Sequence, residues 1–339
     1  MTGTIPSTQG PRTPPPGRLL IPILRLARPK QWLKSAFVLI GPFYGLRDLA
    51  HAGRSIDSVF WPAVLTAALF AITSSACYII NDIFDREADR LHPRKRNRPI
   101  ASGAVSVPQA WLLSISLLIL AVAGACLLPA EPPVQAAVSP RPWVLAALAL
   151  YAGNVALYSA LSKHLVIADV ISLSLGFVLR VMAGCWAVGI MPSVWLLNIT
   201  LFLAMFLSFG KRLGERRTLA PVPGATDLSP AALHRPVHAA YTDTLLQMAV
   251  VVTGVATLMG YAAYIQTKAE DYIKGFNLLW LTIIPVTYCI LRAIVMVERG
   301  QYDDPTELAT RDRAFQVSAA LFIIITIAVL WVFRAVPPL

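Results

Sequence analysis

The chain has 339 residues, 56% of them hydrophobic and 14% charged, with a formal net charge of +11. A soluble domain carries about 25% charged residues and sets its apolar ones in periodic stripes. Here they come in long runs apolar on every face, which excludes an ordinary soluble domain and predicts an all-α, polytopic membrane protein. The same positive balance in a soluble protein would suggest nucleic acid; across a membrane it reflects topology, anionic lipid and phosphorylated substrates, so nucleic acid is not an expected partner.

In chain order, residues 1–17 are rich in Pro, Thr, Ser and Gly and are expected to form a disordered cytoplasmic tail. No apolar core with a small-residue cleavage site follows, so a cleaved signal peptide is not expected. Residues 18–339 are expected to form a single transmembrane domain. Arg28, Lys30 and Lys34 flank the entry to the first helix. On an α-helix Lys30 and Lys34 share a face, suited to a lipid phosphate or to anionic headgroups. Apolar runs predict about nine helices, near 35–50, 58–85, 107–128, 142–161, 166–188, 193–214, 244–266, 276–297 and 314–334. The bulk of the 29 Lys and Arg falls before the first helix and in the connections after the second, fourth, sixth and eighth. The positive-inside rule then places the N-terminus and those connections in the cytoplasm, and the C-terminus outside, of an inner (plasma) membrane. Cys77, Cys126, Cys185 and Cys289 lie in or near spans without CxxC or His–Cys spacing. They are expected to be buried small hydrophobes, not a zinc site or disulfide framework.

The second helix ends in Asn81-Asp82-Ile83-Phe84-Asp85-Arg86-Glu87-Ala88-Asp89. Asp82, Asp85 and Asp89, spaced i, i+3, i+7, share one helix face, with Asn81 on its flank. Carboxylates on one face repel unless a cation lies between them, and magnesium binds through one or two carboxylates plus substrate phosphates. The bland reading is a solvated helix end in which Asp85, Arg86, Asp89 and Arg90 pair in water. The next segment, His92-Pro93-Arg94-Lys95-Arg96-Asn97-Arg98-Pro99, adds four cations between two prolines. Acids for a metal followed by cations for phosphate oxygens form a polyphosphate-binding set.

The string NDIFDREADRLHPRKRNRPIASG, residues 81–103, resembles the UbiA superfamily of intramembrane prenyltransferases. RPKQWLKSAFVL (28–39), LRVMAG (179–184), FGKRLGER (209–216) and RDRAFQV (311–317) narrow the resemblance to decaprenyl-phosphate phosphoribosyltransferases. That resemblance implies a UbiA-like helical bundle, a Mg2+-dependent site, phosphoribosyl diphosphate as donor and a polyprenyl phosphate as acceptor. It also implies a role in cell-envelope precursor synthesis. UbiA prenyltransferases carry a second acidic motif after their sixth helix. Here the stretch Lys211-Arg212-Leu213-Gly214-Glu215-Arg216-Arg217 is cationic with one acid, which suits two phosphorylated substrates.

The expected roles follow. Asp82, Asp85 and Asp89 hold the metal, and Asn81 orients a ligand or a diphosphate oxygen. Lys95 and Arg98 neutralise the donor phosphates. Lys211 and Arg212 take the second phosphate group, and Glu215 a ribose hydroxyl or second metal contact. Asp82, Asp85 and Lys211 form the candidate catalytic set. Tyr158 and Lys163, at the end of the fourth helix, are expected to orient substrate, or to anchor that helix at the interface. His164 reads as an interfacial histidine. Arg180, inside the fifth span, needs a partner; Asp169, eleven residues away, is about 16 Å of helix distant. A carboxylate on another helix or a substrate phosphate fits better. Asp303-Asp304-Pro305-Thr306-Glu307 reads as an acidic cluster at the start of the last helix. The alternatives are a prenyltransferase joining a prenyl diphosphate to an aromatic acceptor, and a polyprenyl-phosphate transporter or carrier. The transporter reading sits poorly with charges gathered at one surface. Homo-oligomerisation is left open.

Overall fold

A computed structural model describes residues 20–51, 53–91, 95–132, 137–218, 241–267, 272–273, 276–301 and 309–332. The expected tail over 1–17, the segment 92–94 and the acidic run 303–307 lie outside the described residues.

The chain enters through α1, Leu20–Ala27, then an eleven-residue 3-10 helix, Pro29–Leu39, then α2, Ile40–His51. The long helices follow: α3 Ile56–Phe84 with the short α4 Arg86–Leu91, α5 Val107–Ala125, α6 Pro140–Ala160, α7 Ala168–Ala187, α8 Val194–Thr218, α9 Asp243–Gln266, α10 Ile283–Glu298 and α11 Arg313–Val332. A two-residue hairpin, Tyr272–Ile273 against Phe276–Asn277, precedes α10. Helix starts follow their caps. Ser55 accepts the Ser58 N–H, Ser106 and Gln109 form a reciprocal capping box, and Thr242 accepts the Leu245 N–H.

Among the described residues seven helical segments are long and apolar enough to cross a membrane, the last running from Leu278 through α10; Arg313–Val329 is apolar but shorter. This is a multi-pass membrane protein. The expected first span, 35–50, differs: it is 3-10 helix up to Leu39 and α-helix only from Ile40. Two causes are local. Arg28 precedes Pro29, where right-handed helix is disfavoured, and sits at φ 49. The freed carbonyl of Ala27 accepts bonds from Trp32 Nε1 and Ser75 Oγ. A third cause is packing: a Cβ at Gly184 of α7 would lie 1.8 Å from Val38 O, and one at Gly41 2.3 Å from Cys185 Sγ. Glycine lets the two backbones touch, as in small-residue seams between membrane helices. The 3-10 geometry also corrects the pairing of Lys30 with Lys34. With three residues per turn, positions four apart diverge by about 120°. Both side chains are exposed.

Two apolar cores meet on α7. Phe70, Val144, Tyr151, Ala183 and Trp186 join α3, α6 and α7. Val170, Phe206, Phe209, Leu246, Ile290 and Met296 join the start of α7 to α8, α9 and α10. Of the cysteines, Cys77 and Cys185 are buried, Cys289 half-buried and Cys126 exposed, all of them free. Cys126 departs from expectation because it ends α5, a peripheral helix exposing Leu112, Ile119 and Val122.

Candidate active site

The polar residues gather at the end of the bundle where α3 finishes. α3 stops at Phe84, and Asp85 (φ −82, ψ 2) bends the chain into α4. The i to i+4 bonds from Asp85 N to Asn81 O and from Asp89 N to Asp85 O carry the helical path through the bend. Asp82 and Asp89 are both buried, and Arg98 Nη1 bridges them at 3.0 and 2.7 Å. Arg28 adds a second grip on Asp82 Oδ1 at 2.6 Å and lies over the Tyr78 ring. Asp85 turns elsewhere. Its Oδ1 pairs with Lys163 at 3.1 Å, and its Oδ2 accepts from Asn81 Nδ2. Ser159 Oγ donates to Asn81 Oδ1.

The expected shared face is therefore divided. Repulsion between the carboxylates is relieved by Arg28, Arg98 and Lys163, and among the described residues no three acidic, Cys or His side chains are grouped to hold a metal. The solvated-end reading fails as well. Arg86 and Arg90 pair with Glu87, not with Asp85 or Asp89. The acids of the motif are thus reserved for residues 54 to 78 positions away as well as for the following loop. The donor set is all oxygen, with two carboxylates buried and a third at the rim. That chemistry fits a hard divalent cation arriving with a diphosphate, because such a cation needs only one or two carboxylates from the protein.

A second cluster lies at the start of α7. Asp169, 1% exposed, pairs with Arg212 Nη2 of α8 and accepts the Tyr241 hydroxyl at 2.7 Å. Tyr241 in turn accepts the Ile167 N–H at 2.7 Å, and its ring lies under the Arg212 guanidinium. Burial, and then the bond to Asp169, push the Tyr241 phenol above its ordinary pKa. Arg216 pairs with Asp243 at the start of α9 and also holds Tyr241 O. Arg212, expected to meet the second phosphate group, is buried in an ion pair with Asp169. Lys211 and Glu215 on the same turn are half-buried.

The model of the UbiA prenyltransferase family matches residues 38–213. The chain belongs to that family. The decaprenyl-phosphate phosphoribosyltransferase of Corynebacterium glutamicum is 31% identical over 313 residues, 91% of this chain and 86% of that protein. The protein of the same name from Mycobacterium tuberculosis H37Rv is 30% identical over 315 residues, 92% of this chain and 95% of that one. In three dimensions the chain resembles a UbiA homologue from Archaeoglobus fulgidus, solved bound to GPP and Mg2+. The TM-score is 0.62 at 20% identity, covering 91% of this chain and 99% of that one.

The remaining expected residues of this UbiA protein divide. Lys163 joins the acidic cluster directly. Lys95 opens a short 3-10 turn, Lys95–Asn97, that leads into Arg98. Tyr158 is half-buried in the last turn of α6, and His164 is exposed. Asp312 accepts the Phe315 N–H at the start of α11, and its bond to Arg292 holds its carboxyl below the usual range. The roles of three residues escaped sequence reasoning. Asp169 is a lone acid at the head of an apolar run, Tyr241 a lone aromatic before α9, and Ser159 has no signal beyond its place one turn before Lys163.

Arg180 does not reach the acidic cluster. It bonds Ser74 Oγ, Tyr151 Oη and Gly176 O among the rings of Phe70, Tyr151 and Phe177. Ser74 lies eight residues before Asp82, about 12 Å of helix. Among the described residues no carboxylate pairs with it, and its buried Nε has no hydrogen-bond partner. Hydroxyls and ring faces balance this cation only in part. Arg180→Met, which keeps the volume and removes the charge, is expected to unfold within about 1 kcal/mol of the parent. Arg180→Ala, which leaves a cavity, should lose about 2–5 kcal/mol. Thermal unfolding in lipid nanodiscs measures both, and loss of transfer in a stable Arg180→Met would assign the charge to chemistry.

Proposed function

We propose that the protein transfers 5-phosphoribose from phosphoribosyl diphosphate to a polyprenyl phosphate of the decaprenyl type, releasing diphosphate, with Mg2+. The reading places this step in cell-envelope precursor synthesis at the cytoplasmic face of the inner membrane. The observation that carries it is the interleaving of three carboxylates with three cations at one polar end, Asp82, Asp85 and Asp89 against Arg28, Arg98 and Lys163. Such a site is charge-balanced before substrate arrives and can release cations to phosphate oxygens while its acids take up a metal. The names of the relatives matched over nine-tenths of the chain support the choice of donor and acceptor. The basic bias of this end supports the orientation.

Asp82, Asp85 and Asp89 would hold the divalent cation, with Asn81 orienting a diphosphate oxygen. Bound there, the cation supplies charge neutralisation to the departing diphosphate. Arg98, Lys95, Arg28 and Lys163 bind the diphosphate oxygens and meet the charge that grows on them as the C1–O bond breaks. Lys211, on α8, takes the second phosphate group, and Glu215 orients a ribose hydroxyl. Tyr158 lines the approach at the end of α6. The acceptor phosphate is already ionised, so no general base is required, and the apolar spans receive its isoprenoid chain.

Purified protein in nanodiscs, given Mg2+, labelled phosphoribosyl diphosphate and decaprenyl phosphate, should form a lipid-extractable phosphoribosyl product, and chelation should abolish it. A protein that instead joins a prenyl diphosphate to 4-hydroxybenzoate refutes the sugar reading. Vectorial lipid movement without turnover refutes the enzyme reading.

A further inference from the structure

We propose that Tyr241 is a positioning residue for the diphosphate site, acting through the strained backbone of Ile167 on Lys163 and its partner Asp85. The inference rests on the site assignment of Asp85 and Lys163 given above, but not on the identity of the sugar donor.

Ile167 sits at φ 71, ψ −47, in the half of backbone space that a β-branched residue avoids. Such a conformation persists only when its surroundings over-determine it. Here the surroundings are explicit. The Ile167 N–H donates to Tyr241 Oη, and the Tyr241 O–H donates to Asp169 Oδ1. Asp169 is fixed by Arg212 and by the Val170 N–H. One phenol thus ties the α6–α7 connection to the chain just before α9, and its own backbone is fixed by Arg216 of α8.

The consequence lies four residues upstream. Lys163 occupies the 3-10 turn Ser162–His164, and the Leu165 N–H closes that turn on Ser162 O. The Asp169 N–H then bonds Leu165 O, and the Ile171 N–H bonds Ile167 O. The run from Lys163 to the head of α7 is therefore short and pinned at Leu165 from both sides. A change at Ile167 is carried toward Lys163, whose ammonium makes the 3.1 Å pair with Asp85. The second cluster, whose cations the sequence suggests as phosphate ligands, instead sets the position of a cation in the first.

The test is a double-mutant cycle read by binding, with Mg2+ and inorganic diphosphate as the probe. Titration calorimetry of the full chain in nanodiscs should show about tenfold weaker binding for Tyr241→Phe, the size of effect seen when a supporting hydrogen bond behind a ligand is removed. Lys163→Ala should weaken it at least as much, and Lys163→Ala/Tyr241→Phe no further than Lys163→Ala alone. Additive losses, or a Tyr241→Phe protein that melts lower yet binds normally, would overturn the proposal. So would normal binding by Lys163→Ala. A second arm removes the strain itself: Ile167→Gly, which adopts positive φ freely, should return Tyr241→Phe/Ile167→Gly toward parental affinity. Absence of that rescue would also sink it. If the parent binds Mg2+ and diphosphate yet transfers no phosphoribose, the proposed function fails and the cycle remains readable.

Discussion

Asp85→Asn is expected to lower turnover by about 10²–10³-fold while leaving the fold intact. The two halves of that expectation have separate grounds. Asp85 is the least buried of the three aspartates, and its pair with Lys163 is about as exposed on both sides. Ion pairs of that kind contribute about 0–1 kcal/mol to stability, so the amide should melt close to the parent. The amide also keeps an oxygen for Asn81 Nδ2, whose bond to Asp85 Oδ2 is 2.8 Å. What it loses is the negative charge. In the proposed reaction a metal–diphosphate complex would depend on that charge, freed from Lys163 as the ammonium turned to a phosphate oxygen. Asp82→Asn makes a poorer test. Asp82 is buried beneath two guanidiniums, and neutralising it takes the counter-ion from Arg28 and leaves Arg98 with Asp89 alone. Initial rates at saturating Mg2+ and donor, with melting curves on the same preparations, separate the effects. A turnover within threefold of the parent would remove Asp85 from the site.

The difference between those two aspartates shows where sequence reasoning stops. The acidic string was legible as a polar end to α3 because three aspartates within eight residues must lie close along the chain, whatever face each takes. Membrane spans were legible because a run of apolar side chains needs no partner to declare itself. Which cation meets which acid was not legible. Arg28 reaches Asp82 across 54 positions, from a left-handed residue beside Pro29, and Lys163 reaches Asp85 across 78. Net charge in a connection gives the number of cations and not their partners. Arg212 looked like a phosphate ligand for that reason, since Asp169, its counter-ion, lies in the preceding helix. The 3-10 entry segment was hidden for a related reason. Its cause includes Gly184 and Gly41, whose meeting with the opposite backbone exists only once α7 is packed. The bend at Asp85 escaped for the opposite cause: it is local, but the residues around it all read as helix.

Arg212→Ala or Asp169→Ala is expected to cost about 3–5 kcal/mol of stability, the largest structural effect in the molecule. Arg212 and Asp169 are both buried, and removing one leaves the other charged without its counter-ion. Asp169→Ala takes the hydroxyl acceptor from Tyr241 as well and so loosens the bond that holds Ile167. Arg212→Met with Asp169→Leu removes both charges at similar volume and should unfold nearer the parent than either alanine variant. A phosphate-binding Arg212 would behave differently. Its loss would raise donor KM with little change in melting, and pairing it with an Asp169 change would recover nothing. The contrast between recovered stability and unrecovered binding therefore decides whether this cluster touches substrate or holds in place the residues that do.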